Sequence, residues 1–395
     1  MGKARSAFYA GIAPGLVQYE IDPQSHTLTK KSEFELPLIV QYAWPDPDRA
    51  ILYVGASNRD TERPVHRAYA LKIAETGALS QLGDPVTLPY RPVHVTVDSA
   101  AQHFLVAFNR PSELAVIRVN PDGSLGEFVE QSPDVDSGIF PHQIRVTPDN
   151  RYAISVARGN PAEFGWWAQK GPQRDPGGLS VFEYKDGALG ARTQVTVGDG
   201  YSFGPRHLDF HPTGPWVYVS LETQNEVVVY RRDDAGIQPE PLQRLSTLEN
   251  PDDVLLHHGL GTVHMHPNGR TVYFANRSHK PVPQRNGTSL ILGGQQDNSL
   301  VVYAIDEQTG LLTQVQRIGS GGLCPRTFGL DATGNVLITA NAKPLWVKDG
   351  GTVRRESANL TTFKVHDDGR LERMHRYDVA LPPGKAITWA GVAGY

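Results

Sequence analysis

Short segments that mix apolar and polar residues recur along the whole chain. Each is four residues long and ends on an aromatic or aliphatic side chain, as expected of a half-buried β-strand. The apolar runs are short and interrupted, which favours many strands joined by turns and predicts an all-β fold. The seven copies are Leu16-Val17-Gln18-Tyr19, Ala68-Tyr69-Ala70-Leu71, Leu114-Ala115-Val116-Ile117, Leu179-Ser180-Val181-Phe182, Val227-Val228-Val229-Tyr230, Leu300-Val301-Val302-Tyr303 and Leu360-Thr361-Thr362-Phe363.

Two kinds of turn interleave with these segments. A glycine turn leads into a Leu- or Ile-led strand after most copies, because glycine accepts the positive φ of a tight hairpin. Its positions are Gly77, Gly123, Gly187, Gly236, Gly310 and Gly369. A Pro- or Asp-led turn precedes another strand, as at Pro47, Asp98, Pro148, Pro212, Pro267 and Asp331. Together the signatures define a four-stranded unit of roughly 50 residues, which is the length of a propeller blade.

We therefore predict one domain over residues 1–395, a seven-bladed β-propeller of four-stranded antiparallel blades. The chain begins inside a blade, since Ala7–Ile12 stands where a second strand belongs. It ends with Ala386–Val392, an inner strand that no partner follows. We expect these two segments to pair and close the ring without an open sheet edge.

Three long inserts interrupt the repeat at residues 160–178, 279–296 and 343–358. Each follows the second strand of its unit. In an antiparallel blade that point lies at the same end as the start of the inner strand, so the inserts should surround one rim of the central channel. Irregular loops of this length in a compact domain are usually functional or disordered, and we expect a lid.

Charge and composition limit the classes of molecule that the protein is expected to bind and the compartment in which it is expected. The 38 basic and 42 acidic residues are spread along the chain, without the basic stripe that nucleic-acid binding requires. The N-terminus has no apolar segment, so we expect neither a signal peptide nor a membrane span. The lone cysteine, Cys324, fits a reducing compartment, and we expect a cytoplasmic location. The sequence does not indicate the oligomeric state.

The predicted rim is rich in arginine. Inner strands begin with Arg91-Pro92, Pro141-His142, Pro205-Arg206-His207 and Pro325-Arg326, and second strands end with Asn58-Arg59, Asn109-Arg110, Arg158, Glu222 and Asn276-Arg277. Guanidinium groups bind carboxylates and phosphates in a bidentate manner, so this pattern predicts a small anionic ligand. Glu222, held ionised by its neighbours, could be a general base, and His142 an acid or proton shuttle. His207 follows Arg206 on a strand, so we expect it to face the opposite way and pack between blades.

These motifs resemble those of the seven-bladed lactonase family, which includes propeller-type 6-phosphogluconolactonases and carboxy-muconate lactonizing enzymes. The resemblance covers essentially the whole chain. It is carried by Gly204-Pro205-Arg206-His207-Leu208-Asp209-Phe210-His211-Pro212, Glu222, Ala275-Asn276-Arg277-Ser278-His279, Pro325-Arg326-Thr327-Phe328 and His142. The chain departs from the family where Phe140 replaces the first His of His-x-His and where Ala157-Arg158-Gly159-Asn160 replaces Asp-Leu-Gly-x-Asp. These departures, with Trp166-Trp167 in the first insert, leave open whether the lactone is the usual sugar phosphate or a larger or different one. The two tryptophans could equally serve only to pin the insert onto the rim.

The resemblance implies a lactonase acting on a small anionic lactone. In this hypothesis Arg206, Arg277 and Arg326 bind the anionic group of the substrate and offset the oxyanion charge. Glu222 deprotonates water, and His142 protonates the leaving alkoxide. Arg158, Asn276 and Arg91 would add substrate contacts. Two alternatives remain open: a muconate-type lactonizing cycloisomerase that takes a dicarboxylate, and a propeller that only binds or scaffolds.

The remaining motifs give weaker evidence for a metal, cofactor or nucleophile site. His257-His258 and His264-Met265-His266 have a spacing that a metal could use, but no carboxylate or thiolate is marked as a further ligand, and packing is expected. The run Gly319–Gly322 lacks the lysine of a phosphate-binding loop. No strand-turn-helix nucleophile elbow is predicted, because the pattern along the chain is all-β. We therefore predict no metal, no cofactor and no covalent nucleophile.

Overall fold

The computed structural model describes residues 5–12, 14–160, 174–251, 258–278, 282–283, 289–292, 298–349 and 351–395. These residues form β-strands, turns and irregular segments, and none of them is helical. No helix able to span a membrane therefore occurs in the part of the chain that the structure describes. The prediction of an all-β fold is confirmed.

The strands follow one another along the chain as seven blades. The first three strands belong to the last blade: β1 (Ser6–Ile12), β2 (Leu16–Asp22) and β3 (Thr27–Phe34). Blade 1 contains β4 (Ile39–Pro45), β5 (Ile51–Ser57), β6 (His66–Ile73) and β7 (Leu79–Thr87). Blade 2 contains β8 (Pro92–Val97), β9 (His103–Asn109), β10 (Ser112–Val119) and β11 (Leu125–Phe128). Blade 3 contains β12 (Pro141–Val146), β13 (Tyr152–Ala157), β14 (Gly178–Lys185) and β15 (Ala188–Val195).

The second half repeats the plan with additions. Blade 4 contains β16 (Pro205–Phe210), β17 (Trp216–Leu221), β18 (Glu226–Asp233), β19 (Gly236–Ile237) and β20 (Gln243–Ser246). Next come β21 (His258–Met265), β22 (Thr271–Ser278), β23 (Val282–Pro283), β24 (Ser289–Leu292), β25 (Ser299–Ile305) and β26 (Leu312–Gly319). The remainder are β27 (Pro325–Leu330), β28 (Val336–Asn341), β29 (Leu345–Asp349), β30 (Thr352–Glu356), β31 (Asn359–Val365), β32 (Leu371–Asp378) and β33 (Ile387–Gly394). Blade 5 is β21-β22-β25-β26, and blade 6 is β27-β28-β31-β32.

The two ends of the chain close the ring. Strand β33 pairs antiparallel with β1, so blade 7 has the order β3-β2-β1-β33, as the sequence predicted. The inner strands β4, β8, β12, β16, β21, β27 and β33 contact one another in this order, and β33 returns to β4. The last blade is thereby completed by a strand from the far end of the sequence, which leaves no open edge inside the ring.

Apolar clusters fill the spaces between adjacent blades. Several interfaces also use one repeated hydrogen bond, in which a buried tyrosine on a second strand donates to a glycine carbonyl in the next blade. Tyr9 bonds Gly77 at 2.6 Å and Tyr218 bonds Gly310 at 3.1 Å. The glycine turns recognised in the sequence thus join one blade to the next, since a buried tyrosine hydroxyl requires a partner.

Every inner strand carries a β-bulge near the mouth of the channel. The register against the second strand shifts at this point in all seven blades. A bulge turns a side chain away from the alternation of a regular strand, and bulges are frequent beside active sites. The residues within these shifts are Gln41, Val93, His142, Arg206, Gly261 and Thr262, Arg326, and Thr388 and Trp389.

The second and third inserts contact each other. Strand β24 of the second insert pairs in parallel with β29 of the third, in a small sheet with the order β23-β24-β29-β30. The third insert was expected to be irregular, but β29 and β30 form a hairpin. Apolar and β-branched residues on both sides of Asp349-Gly350 explain the hairpin. In the first insert, residues 161–173, with Trp166 and Trp167, lie outside the described residues. Closure of the inserts as a lid stays a prediction.

Candidate active site

Glu222 stands at the centre of a cluster of arginines from three blades. It follows β17, and its backbone N–H donates to the carbonyl of Gly204 at 2.9 Å. Its Oε2 accepts a hydrogen bond from Arg158 Nη1, and its Oε1 accepts one from Arg277 Nη2, each at 2.6 Å. Arg206 Nε lies 3.4 Å from Oε1. Three arginines expected at the rim therefore lie together around the carboxylate of Glu222.

The charge of Glu222 is strongly stabilised. Burial alone would raise the pKa of its carboxyl group, but Arg158, Arg206 and Arg277 outweigh burial and hold the pKa well below its usual value of 4.5. The group is therefore ionised at neutral pH. Such a carboxylate is also a weak base for as long as the three guanidinium groups remain on it, because basicity falls with pKa.

Arg206 has unused hydrogen-bonding capacity. Its side chain is buried, and its Nε makes no hydrogen bond within the described residues. Its Nη1 lies 3.5 Å from His207 Nε2. Burial, followed by the charge of Arg277, lowers the pKa of the Arg206 guanidinium. Because Nε faces the Glu222 carboxylate at 3.4 Å without a hydrogen bond, an anion that accepted a well-aligned bond from this buried donor would be bound favourably.

Three buried histidines lie next to one another beside this cluster. The ring centroids of His142 and His207 are 5.2 Å apart, and those of His207 and His94 are 5.7 Å apart. Burial lowers the pKa of all three well below 6.5; Arg206 adds to this for His142 and His207, and Arg145 for His94. The rings are thus neutral at pH 7. Within the described residues, His142 Nδ1 and both nitrogens of His94 make no hydrogen bond.

His207 corrects a prediction made from strand alternation. It was expected to turn away from Arg206 and pack between blades. The two side chains instead contact each other, and His207 also lies beside His142 and His94. The reason is the bulge in β16, where the register shifts between Pro205 and His207, so that simple alternation fails at this position.

Arg326 and Arg91 lie at the edge of the Glu222 cluster. Arg326 Nε donates to the carbonyl of Thr388 at 3.1 Å. Burial and then Arg277 lower the pKa of Arg326, and Glu222 and Arg91 are also among its electrostatic neighbours. Arg91 Nη2 donates to Asn109 Oδ1 at 3.4 Å. Arg326 therefore borders Glu222, whereas Arg91 belongs to a neighbouring group of arginines.

Asn276 does not fit its expected role as a substrate contact. Its side chain is buried, its Nδ2 donates to Thr247 O at 2.8 Å, and its Oδ1 accepts from Thr247 Oγ1 at 2.9 Å. Asn276 precedes Arg277 on β22, so the two side chains point to opposite faces of the blade. The amide secures β22 to the segment at Thr247, and Asn276 is removed from the candidate substrate contacts.

Some residues at the site were missed at the sequence level. Phe140 lies under Arg158, whose Cζ is 4.3 Å from the ring centroid, so the aromatic ring that departs from the family pattern supports one of the arginines that hold Glu222. Tyr42 packs against His94, with ring centroids 4.2 Å apart and ring planes tilted by 40°. A signal for His94 was present, since Pro92-Val93-His94 repeats the spacing of Pro205-Arg206-His207.

The histidines considered as metal ligands have other contacts. His266 Nε2 lies 3.1 Å from the carbonyl of Gly334, which accepts its hydrogen bond and joins two blades. His264 packs edge-on against Phe328, with ring centroids 5.0 Å apart. No group of three or more His, Cys, Asp or Glu residues in the described ranges could hold a metal ion. His257 lies outside those ranges.

Comparisons with known proteins agree with this architecture. The family described as "Lactonase, 7-bladed beta-propeller" matches residues 6–385. A 6-phosphogluconolactonase of Bacillus subtilis strain 168 is 27% identical over 91% of this chain and 90% of its own length. The enzyme of the same name from Cronobacter sakazakii is 27% identical over 77% of this chain and 91% of its own.

Solved structures show the same fold. The periplasmic gluconolactonase PpgL of Pseudomonas aeruginosa has a TM-score of 0.69 at 20% identity, covering 97% of this chain and 99% of its own. A Lactobacillus plantarum protein has a TM-score of 0.66 at 18% identity, covering 99% of both chains. The cytoplasmic location expected from the sequence stays a prediction. From the family match over residues 6–385, the chain belongs to the seven-bladed β-propeller lactonase family.

Proposed function

We propose that this protein hydrolyses an anionic lactone of the sugar-acid type at the mouth of the central channel. The observation that carries the proposal is the Glu222 carboxylate, buried among Arg158, Arg206 and Arg277 and next to the neutral imidazole of His142. Family membership and the names of the 6-phosphogluconolactonase relatives support the same chemistry.

The arginines would bind the substrate and stabilise the charge that develops on it. In lactone hydrolysis water attacks the carbonyl carbon, and negative charge builds up on the carbonyl oxygen. Arg206 Nε is buried, faces Glu222 without a hydrogen bond within the described residues, and is thereby suited to stabilise that oxygen. Loss of one such donor typically reduces the rate by about 10²–10³-fold. Arg277 and Arg326 would hold the anionic group of the substrate.

Substrate binding would also change the basicity of Glu222. In the free protein Arg158 and Arg277 each donate to this carboxylate, which keeps its pKa low. A substrate anion that shares these guanidinium groups would weaken their hold on Glu222. Burial, which acts in the opposite direction, would then raise the pKa and make the carboxylate a better base for water. Glu222 is thus most basic when substrate is present.

His142 would return the proton to the leaving group. Its imidazole is neutral, and its Nδ1 has no hydrogen-bond partner within the described residues. A neutral imidazole has one acceptor nitrogen and one N–H donor, so it can accept a proton and donate one to the departing alkoxide. The carboxylate product and the free hydroxyl group then leave through the mouth.

The test is substitution of Glu222 with glutamine. We expect E222Q to lose turnover by about 10²-fold or more, measured as acid release from a panel of sugar-acid lactones. Glu226→Gln is the matched control, because Glu226 begins the next strand and pairs with Arg244 outside the cluster. Full activity of E222Q would remove Glu222 from the mechanism.

The alternatives have less support. The two 6-phosphogluconolactonases and the gluconolactonase named above carry lactonase names, and none of them supports a lactonizing cycloisomerase. A scaffold protein would not require four ionised side chains to converge on one buried point, given the desolvation cost of each. Purified protein that hydrolysed none of the lactones and gained no thermal stability from small anions would favour the scaffold.

A further inference from the structure

A second group of arginines lies beside the Glu222 cluster. Arg59 follows β5, Arg91 precedes β8 and Arg110 follows β9, so all three lie at the mouth ends of blades 1 and 2. They line a cavity of about 310 Å³ together with His66 and Tyr90. Three guanidinium groups therefore share one small space.

These arginines have only neutral partners within the described residues. Arg59 Nε donates to Gln41 Oε1 at 3.0 Å, and Arg91 Nη2 donates to Asn109 Oδ1 at 3.4 Å. The Cζ of Arg110 lies 5.6 Å from the ring centroid of Phe140. No carboxylate in the described ranges forms an ion pair with any of the three.

The acidic residue that lines the cavity already accepts two backbone hydrogen bonds. Asp60 also lines the cavity, but its Oδ1 accepts hydrogen bonds from the backbone N–H groups of Glu62 at 2.8 Å and Arg63 at 3.0 Å. Its carboxylate thus caps its own turn. The contrast with the neighbouring cluster is clear, because there a single carboxylate, Glu222, accepts hydrogen bonds from two guanidinium groups and lies close to a third.

The uncompensated charge is unfavourable in the free protein. Arg59 and Arg110 are exposed and Arg91 is half-buried. Partial desolvation, followed by Arg326 and Arg91, lowers the pKa of Arg59 to about 10. Burial and then Arg110 lower the pKa of Arg91. Mutual repulsion of this kind is relieved when an anion enters and accepts several charge-assisted hydrogen bonds at once. The cavity therefore has the charge and the unused donors of a site for an oxyanion.

Arg326 connects the two groups. Its electrostatic neighbours include Arg277 and Glu222 on one side and Arg91 on the other, and it also acts on Arg59. We infer that Arg59, Arg91 and Arg110 form a second anion site, which takes a phosphate or carboxylate group that the substrate carries away from its lactone carbonyl. The assignment to substrate rests on the proposed function, whereas the site itself would bind an anion in either case.

Calorimetric titration with inorganic phosphate at constant ionic strength tests the site directly. The Glu222 carboxylate already occupies its arginines, so free phosphate should prefer the second group. We expect the double variant Arg59→Gln/Arg110→Gln to bind phosphate at least 10-fold more weakly than the unmodified chain. Arg63→Gln, which removes one positive charge from the loop of Arg59 but outside the cavity, should bind as the unmodified chain does. Equal binding by the double variant would overturn the proposal.

Thermal unfolding shows whether a loss of phosphate binding in the double variant is caused by misfolding. The double variant removes repulsion between cations, so without phosphate it should unfold at the same temperature as the unmodified chain or at a higher one. Phosphate should raise the unfolding temperature of the unmodified chain but not that of the double variant. A phosphate-induced rise of equal size in both proteins would contradict the site.

Kinetics distinguish the substrate's own anion from free phosphate. If the substrate's group occupies the site, the double variant should raise KM at least 10-fold for a lactone that carries a remote phosphate. KM for the same lactone without the phosphate should not change. Equal KM changes on both lactones would overturn the substrate assignment. If no lactone is hydrolysed at all, the proposed function fails, and the calorimetry still decides the anion site.

Discussion

Arg277 donates a hydrogen bond of 2.6 Å to Glu222, although 55 residues separate the two along the chain. Both side chains are largely buried, with exposed fractions of 3% for Arg277 and 13% for Glu222. Such an ion pair is costly to desolvate, and it is retained where hydrogen bonds satisfy both groups. The same contact keeps Glu222 ionised. It also holds Arg277 where a substrate anion can replace the Glu222 carboxylate as its partner.

The low pKa of Glu222 predicts an unusual pH profile. A base with a depressed pKa stays deprotonated as the pH falls, so the acid limb that Glu222 contributes to kcat/KM should lie below pH 4.5, where an ordinary glutamate would titrate. Arg158→Gln removes one of the charges that lower this pKa, and the acid limb should move to higher pH. Arg192→Gln, on the outer strand of the same blade, should leave the limb unchanged. Identical limbs in the two variants would argue against Glu222 as the base.

The buried histidines predict loss of stability in acid. Native-state pKa values below 6.5 mean that the unfolded chain binds more protons at lower pH, so the free energy of unfolding falls as the pH drops below 6.5. Each histidine contributes at most about 1.4 kcal/mol per pH unit. His94→Phe should reduce the slope contributed by the three histidines by about one third. Chemical denaturation between pH 5.5 and 7.5 measures the slope, and an unchanged slope would contradict the buried neutral state.

Closure of the ring predicts that the first strand is indispensable. Removal of residues 1–12 would take away β1, which pairs with both β2 and β33, and should abolish cooperative unfolding. A milder test is Phe8→Ala, since Phe8 is fully buried in the cluster between blades 6 and 7. The expected cost is about 3–5 kcal/mol. Thr29→Ala, an exposed change on the outer strand of the same blade, should cost less than about 0.5 kcal/mol.

The glycine turn at Gly310 predicts a steric effect between blades. Gly310 has φ of +73°, and a Cβ there would lie 2.3 Å from Trp216 Cδ1 in the neighbouring blade. Gly310→Ala should therefore cost about 2–4 kcal/mol, from the left-handed backbone and the clash together. Gly198→Ala isolates the backbone effect, because Gly198 has φ of +58° and no atom within 4 Å of the added Cβ. Urea denaturation measures both, and equal losses would rule out the clash.

The repeat was readable because a propeller is built from local units. Strand alternation and glycine turns depend on residues close in sequence, so seven copies could be recognised without any three-dimensional information. The pairing of Ala7–Ile12 with the last inner strand followed from the count, because one blade lacked an inner strand and the chain ended with an unpaired one. Glu222, Arg206, Arg277 and His142 were found by placing each residue at an end of its strand.

The errors arose where local rules fail. Alternation placed His207 opposite Arg206, but a bulge in β16 brings them together, and a bulge depends on the pairing of two strands. Asn276 was grouped with Arg277 because they are neighbours in sequence, yet they face opposite sides of β22. His94 and His207 each stand two residues after a proline. This shared spacing indicates a shared position at the channel only when the structure shows that every inner strand has a bulge at the same level.

The sequence by itself determined the number of blades, the closure of the ring and the end of the channel at which charge collects. Each follows from short-range patterns and from the fixed geometry of antiparallel strands. Only the tertiary structure decided which arginines pair with Glu222 and which lack a carboxylate among the described residues. Ion pairing depends on distances of a few ångströms between side chains from different blades, and no pattern along one chain reports those distances.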